Sequence, residues 1–250
     1  MHMCVRWMLS IVGIQVCTRQ LTTGYNTEWC KAILPSVLRT TLPVATLPKH
    51  PPRLQLVTIF LGANDAVLPD VNPHQYVPLP EYKQNLIEMV AQIKEHDHKT
   101  RVLLISPPPV DPGRWTGSRA RIRDAPDRSV ENTLKYRDAC LEAGLASGTP
   151  VLDTWELFLG PDLICTPEKV KDILIDGLHL DSKGNRMLGE ALLKTISKIW
   201  PDLDPEKIPS MVAWHDQIDK SKMPDTFFKF DRSTRNSSVV VMKPAMAEIH

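Results

Sequence analysis

The residues best able to do chemistry stand in three short groups, and the last along the chain is the most specific. In Asp176-Gly177-Leu178-His179 a carboxylate and an imidazole lie three residues apart, and a Leu180-Asp181 turn then opens a helical pattern. On a loop, that spacing lets the carboxylate reach one ring nitrogen. The tautomer is then fixed and the other nitrogen is left as a general base. A capped helix entry beside a surface histidine would use the same four residues. The second group, Gly62-Ala63-Asn64-Asp65, follows directly on an apolar run at residues 54–61. Ligands of open parallel sheets bind outside the carboxyl ends of strands, where the Asn64 amide could donate to a developing oxyanion. Asp65 is expected to cap the turn that follows. The third group is Gly24-Tyr25-Asn26-Thr27, just before the helix-like stretch 28–38. A glycine at such a turn brings its N–H close to a substrate, although an ordinary turn reads the same way.

The elements that must carry these groups follow from periodicity. Residues 54–61, LQLVTIFL, form a continuous apolar run between prolines and Gly62, as a strand buried on both faces does. Pro80 opens a helix over residues 81–95, with Tyr82, Leu86, Met89, Val90 and Ile93 on its apolar face. A second buried strand at 102–105 ends at Pro107-Pro108-Pro109. A third, shorter one is expected at 150–153. Between them, residues 110–128 read as an exposed loop with solvated charges, followed by a helix ending near Gly148 with Val130, Leu134, Leu141 and Leu145 inward. The last strong helix is 182–200, with Met187, Leu188, Ala191, Leu192, Ile196 and Ile199 on one face and Pro201 as its stop. Strand and helix alternate. That order predicts an α/β fold with a mostly parallel sheet covered by helices on both faces.

Bulk composition narrows the function by exclusion. The 250 residues carry 30 Lys+Arg against 29 Asp+Glu, so no global field favours nucleic acid or an acidic membrane. The expected partner is a small molecule. Cys4, Cys17, Cys30, Cys140 and Cys165 are odd in number and scattered, with no spacing for zinc or a redox pair. Reduced thiols, a cytoplasmic location and no cofactor or metal are the expectation. The apolar run 7–17 is too short to span a bilayer; it could pass for a signal-peptide core, but no small-residue cleavage site follows, and it reads more simply as a buried strand. His96 and His98 lie among charges at a helix end and read as solvated surface.

Taken together, GYNT, GAND and DGLH in this order resemble conserved blocks of the SGNH (GDSL-type) hydrolases. The wording IFLGANDAVLP, LLISPPPV, DGLHLDSKGNRMLGEALL and PSMVAWHDQID is similar to isoamyl-acetate-hydrolysing esterases in particular, over residues 19–219. The resemblance implies a three-layer α/β/α sandwich that hydrolyses small carboxylic esters through an acyl-enzyme. It also implies roles: Gly24 N–H and the Asn64 side chain for the oxyanion, His179 as base and then acid, and Asp176 to orient it. Residues 1–18 then form a divergent amino terminus. Residues 220–250 form a partly disordered extension, while Trp214 and the phenylalanines 227, 228 and 230 are apolar enough for some of the segment beyond Pro209 to pack on the domain.

One block of that resemblance is not matched. Such hydrolases place their nucleophile in a Gly-Asp-Ser motif on a first strand well before the oxyanion glycine. Here Ser10 alone precedes Gly24 among serines, without those flanks, and it reads as a strand serine. Residues 13–21 would then supply the family's second strand, leading into Gly24, with the first strand and helix missing. Two readings follow: a truncated, alternatively spliced or wrongly delimited product of an active esterase, or a protein that keeps a binding cleft without catalysis. The first is favoured because Gly24, Asn64, Asp176 and His179 all remain.

Overall fold

An unbroken stretch of apolar and β-branched residues makes Leu56–Phe60 a strand, and Arg101–Ile105 is a second of the same kind. The structure is a computed structural model and describes residues 13–15, 24–41, 54–115, 126–205 and 207. The expectations for Ser10, the amino-terminal run, Cys4 and Cys17, and for everything from residue 208 onward, fall outside these. Four strands form the described sheet in the order β1-β2-β3-β4: Gly13–Gln15 (β1), Leu56–Phe60 (β2), Arg101–Ile105 (β3) and Val151–Leu152 (β4). β2 and β3 are parallel, with Leu56 opposite Arg101 and Phe60 opposite Ile105, and β4 continues in parallel beside β3. β1 runs antiparallel, Gly13 opposite Phe60. It therefore heads away from the carboxyl end of β2, contrary to the expected strand leading into Gly24. An edge allows this, since the free N–H and C=O groups of β2 can be met by a neighbour in either direction.

Side chains alternate across the sheet and so divide the core in two. Val57, Ile59, Val102 and Leu104 point to one side, beneath Thr27–Thr41 (α1), Leu79–His96 (α2) and Val130–Ser147 (α3). Phe60, Leu103 and Ile105 point to the other, beneath Thr154–Leu159 (α4), Pro167–Val170 (α5) and Ser182–Ile199 (α6). The result is the three-layer α/β/α sandwich that the alternating elements predict. Helix ends are fixed locally. Ser129 Oγ accepts from Asn132 N at 3.0 Å to start α3, and Gly148 closes it in the left-handed region at φ 61°. Asp181 accepts from Gly184 N at 2.7 Å to start α6.

The inward face of α3 differs from the expected one. Thr133, Tyr136, Ala139, Cys140, Ala143 and Gly144 are buried, whereas Leu145 is 86% exposed and Val130 and Leu134 reach the opposite core cluster. α3 lies tightly against α2, and close helix contact favours small side chains over the larger leucines. The short α4 and α5 escaped the sequence reading because one or two turns hold too little periodicity to register. Even so, α4 supplies Trp155, which is fully buried and donates from Nε1 to Pro107 O at 3.1 Å.

Candidate active site

Asp176 shapes the loop before α6 and holds a ring at the same time. Its Oδ1 accepts from Leu178 N at 3.0 Å and His179 N at 2.8 Å, and its Oδ2 lies 2.7 Å from His179 Nδ1. Ile175 N closes the same turn on His179 O at 2.8 Å, and Asp181 N bonds Ile173 O at 2.7 Å. Partial burial works to raise the Asp176 carboxyl, but the hydrogen bonds from the His179 ring and the two backbone N–H groups outweigh it and hold it below the usual carboxylate range. The carboxylate stays charged. With Nδ1 occupied, Nε2 of His179 has no partner among the described residues, and the side chain is 52% exposed. An imidazole so held can take a proton at Nε2 and pass it on.

Gly177 makes this loop possible. Its φ is +94°, and a Cβ there would lie 2.5 Å from Asp111 O and 2.7 Å from Trp115 N. The close approach also lets Asp111 N donate to Gly177 O at 2.8 Å, which pins the loop to the segment that follows β3.

At the carboxyl end of β2 the other two groups meet. Asn64 Nδ2 donates to Tyr25 O at 2.9 Å, and the Gly24 carbonyl accepts from Gln75 Nε2 at 2.9 Å, with Gly24 at φ +81°. Gln75 O accepts in turn from Asn26 Nδ2 at 3.1 Å, while Asn26 Oδ1 accepts from Trp29 N at 3.0 Å to open α1. An asparagine amide and a glycine turn side by side form a place where an oxyanion could be met by N–H donors.

Asp65 does not cap the turn after it. It is fully buried and caps α1 instead, with Oδ1 accepting from Thr27 N at 2.8 Å and from Thr27 Oγ1. Oδ2 has no partner among the described residues. Burial pushes this carboxyl up to about 6, against the lowering effect of the Thr27 hydrogen bonds. Between pH about 4 and about 6 the folded protein therefore keeps a proton that the unfolded chain has released, so stability should fall as pH rises through that window. Two pKa units correspond to about 2–3 kcal/mol. The stability of the parent minus that of Asp65→Asn, measured by chemical denaturation from pH 4 to pH 7, should fall along that slope.

The segment expected to be an exposed loop with solvated charges corrects that expectation at both flanks; residues 116–125 lie outside the described residues. Asp111, Asp127 and Arg128 are buried. For Asp127 and Arg128 burial of charge is tolerable because the two are paired: Asp127 Oδ1 accepts from Arg128 Nη1 and from Trp115 Nε1, both at 2.8 Å. Trp115 lies edge-on to the His179 ring, centroids 5.5 Å apart, and Arg128 sits 5.1 Å over the indole. Nothing in the local sequence separates Arg128 from the other charged residues of its segment, and only the folded contacts single it out. His96 and His98 are exposed at the end of α2. Among the described residues no group of His, Cys, Asp or Glu is placed to hold a metal, and no helix is long and apolar enough to cross a membrane.

Comparison with known proteins places this arrangement in context. Residues 22–187 match the GDSL-like Lipase/Acylhydrolase family. The chain belongs to that family. Among curated members of this kind, it is 37% identical over 194 residues to the isoamyl acetate-hydrolyzing esterase 1 homolog of Rattus norvegicus, covering 76% of this chain and 68% of the relative. It is 30% identical over 198 residues to the isoamyl acetate-hydrolyzing esterase of Saccharomyces cerevisiae, covering 78% and 75%. Among solved structures, the lipase/acylhydrolase from Enterococcus faecalis aligns at 26% identity and a TM-score of 0.50, covering 70% of this chain and 72% of that one. The GDSL-like family thus accounts for the sandwich and for the span that holds Gly24, Asn64, Asp176 and His179.

Proposed function

We propose that the site hydrolyses small carboxylic esters of the acetate type through a serine, histidine and aspartate mechanism, with residues 19–219 as the hydrolase domain. The observation that carries this reading is the His179 ring, gripped at Nδ1 by Asp176 at 2.7 Å and open at Nε2. The names of the rat and yeast relatives support the acetate class. In the first step of such a mechanism a serine Oγ, which no described residue presents to the ring, bonds to the ester carbonyl carbon as its proton passes to His179 Nε2. The carbonyl oxygen becomes an oxyanion facing Gly24 N–H and the Asn64 amide. As the tetrahedral centre collapses, His179 returns the proton to the departing alcohol. Water then repeats the sequence on the acyl-enzyme to release the acid. Asp176 keeps the ring in the tautomer that can do this and stabilises its charged form. Cys30, Cys140 and Cys165 form no disulfide among the described residues, in accord with a reducing, cytoplasmic setting.

A second reading has its own observation: among the described residues no serine hydroxyl bonds the His179 ring. On that reading the chain binds esters or their acids without turning them over. Purified protein incubated with a chromogenic acetate ester separates the two, alongside mass spectrometry after a fluorophosphonate. Turnover together with a single phosphonylated serine supports the hydrolase. Ligand binding without turnover or labelling supports the silent cleft.

A further inference from the structure

We infer that Arg128 is a positioning residue that sets the direction and polarity of the Asn64 amide and, through Trp115, ties it to the His179 ring. The inference rests on the reading of Asn64 as an oxyanion donor. Three contacts of one guanidinium carry it. Nη2 donates to Asn64 Oδ1 at 3.3 Å, Nε donates to Ala63 O at 3.1 Å, and Nη1 donates to Asp127 Oδ1 at 2.8 Å. The planar fork thus grips the side chain of one residue and the backbone of the residue before it, a geometry that a point charge cannot reproduce.

Guanidinium has donors and no acceptor, so whichever amide atom faces it must be oxygen. That settles the one ambiguity of an asparagine. Nδ2 is forced to the opposite side, where one of its two hydrogens is taken by Tyr25 O at 2.9 Å and the other is left to donate. A cation on Oδ1 also draws electron density out of the amide nitrogen, making its N–H groups stronger donors towards an anion. Arg128 is itself held rigid. Its side chain and that of Asp127 are each only 3% exposed, and Asp127 O accepts from Leu68 N at 2.7 Å. Desolvation lowers the hold of Arg128 on its proton, but the carboxylates of Asp127 and, farther off, Asp176 oppose this, so the group remains a cation.

The same Asp127 Oδ1 receives Trp115 Nε1 at 2.8 Å, and the indole stands between the guanidinium, 5.1 Å from its centroid, and the imidazole, 5.5 Å centroid to centroid. Asp127, Arg128 and Trp115 therefore connect the proposed donor of the oxyanion site with its proposed base, two groups that come from loops far apart in sequence.

The test uses ¹⁵N-labelled protein and reads the side-chain amide of Asn64, identified by its disappearance in Asn64→Ala, in the parent, Arg128→Lys and Arg128→Met. In folded variants the Asn64 Nδ2 and Hδ2 signals should shift, and the His179 ring protons should move with them in Arg128→Met. Unmoved Asn64 signals in a folded Arg128 variant would overturn the inference. If neither variant folds, the parent decides. A cation on Oδ1 strengthens the amide C–N bond, so rotation about it should be slower than for asparagines of the urea-unfolded chain, and equal rates overturn the inference. Turnover of a chromogenic acetate ester is measured in parallel: Arg128→Lys should lower kcat about tenfold or more with KM changed less than about twofold. Full turnover by Asn64→Ala would instead reject the oxyanion role of Asn64, a result independent of whether the amide signals report Arg128.

Discussion

His179→Ala is expected to lower kcat for a small acetate ester by about a thousandfold or more while leaving KM nearly unchanged, because on the proposed mechanism the ring takes part in proton transfer and not in holding the ground state. The ring is well suited to this comparison. Its only hydrogen bond among the described residues is the 2.7 Å contact of Nδ1 with Asp176, and it is half exposed, so its removal leaves no buried group stranded and little reason to misfold. Asp176→Asn makes the companion measurement. The asparagine oxygen could still accept from Leu178 N and His179 N, so the turn survives, but the amide nitrogen would now face Nδ1. That contact selects the tautomer with the proton on Nε2, which cannot act as a base. A loss of about 10⁴-fold in kcat with an intact fold is the expected outcome. Steady-state kinetics on both variants, with circular dichroism as the check on folding, would reject the assignment if either retained parental kcat.

Gly177→Ala should strike stability and the site together. The added methyl would need to lie 2.5 Å from Asp111 O and 2.7 Å from Trp115 N at a φ of +94°, and both obstacles are backbone, which cannot swing aside as a side chain can. A cost of about 2–4 kcal/mol is expected, combining left-handed strain with overpacking. Gly148→Ala provides the internal standard. Its φ is also positive at +61°, but nothing lies within 4 Å of the added methyl, so it should lose only the conformational part, about 1 kcal/mol. Urea denaturation of the two variants would give the steric part by difference. Equal losses would mean that the Gly177 contact with the 111–115 segment is easily relaxed. The position of Asp176 and His179 depends on that contact, so Gly177→Ala should also lose turnover beyond its loss of folded protein.

What could be read from the sequence follows the range over which each feature is encoded. Asp176 and His179 announce themselves because three residues suffice to bring carboxylate to ring, and Leu56–Phe60 does so because an apolar run needs no partner to be recognised. The α6 boundaries are equally local, with Asp181 as cap and Pro201 as stop. Features that depend on a distant partner are not legible in this way. Asp65 looks like a turn cap, yet it serves Thr27, 38 residues earlier, because the helix it caps is brought beside β2 only by the sheet. Arg128 looks solvated among the charges of its segment and becomes buried only once Asn64, 64 residues away, and Asp127 offer it oxygens. The direction of β1 is hidden for a related reason, since an edge strand's composition says nothing of which way it will lie.

The two halves of the site also differ in when they can come into being. The aspartate–histidine contact closes a loop of three residues and is drawn together by the turn's own backbone bonds, so it can form early and survive partial opening of the molecule. The Asn64 contact with Tyr25 spans 39 residues and waits for α1 and β2 to assemble. A partly unfolded molecule would thus keep the proposed acid–base pair without the proposed anion receptor beside it. On the proposed function, the part that would stabilise the reaction's charge is the part that needs the whole fold.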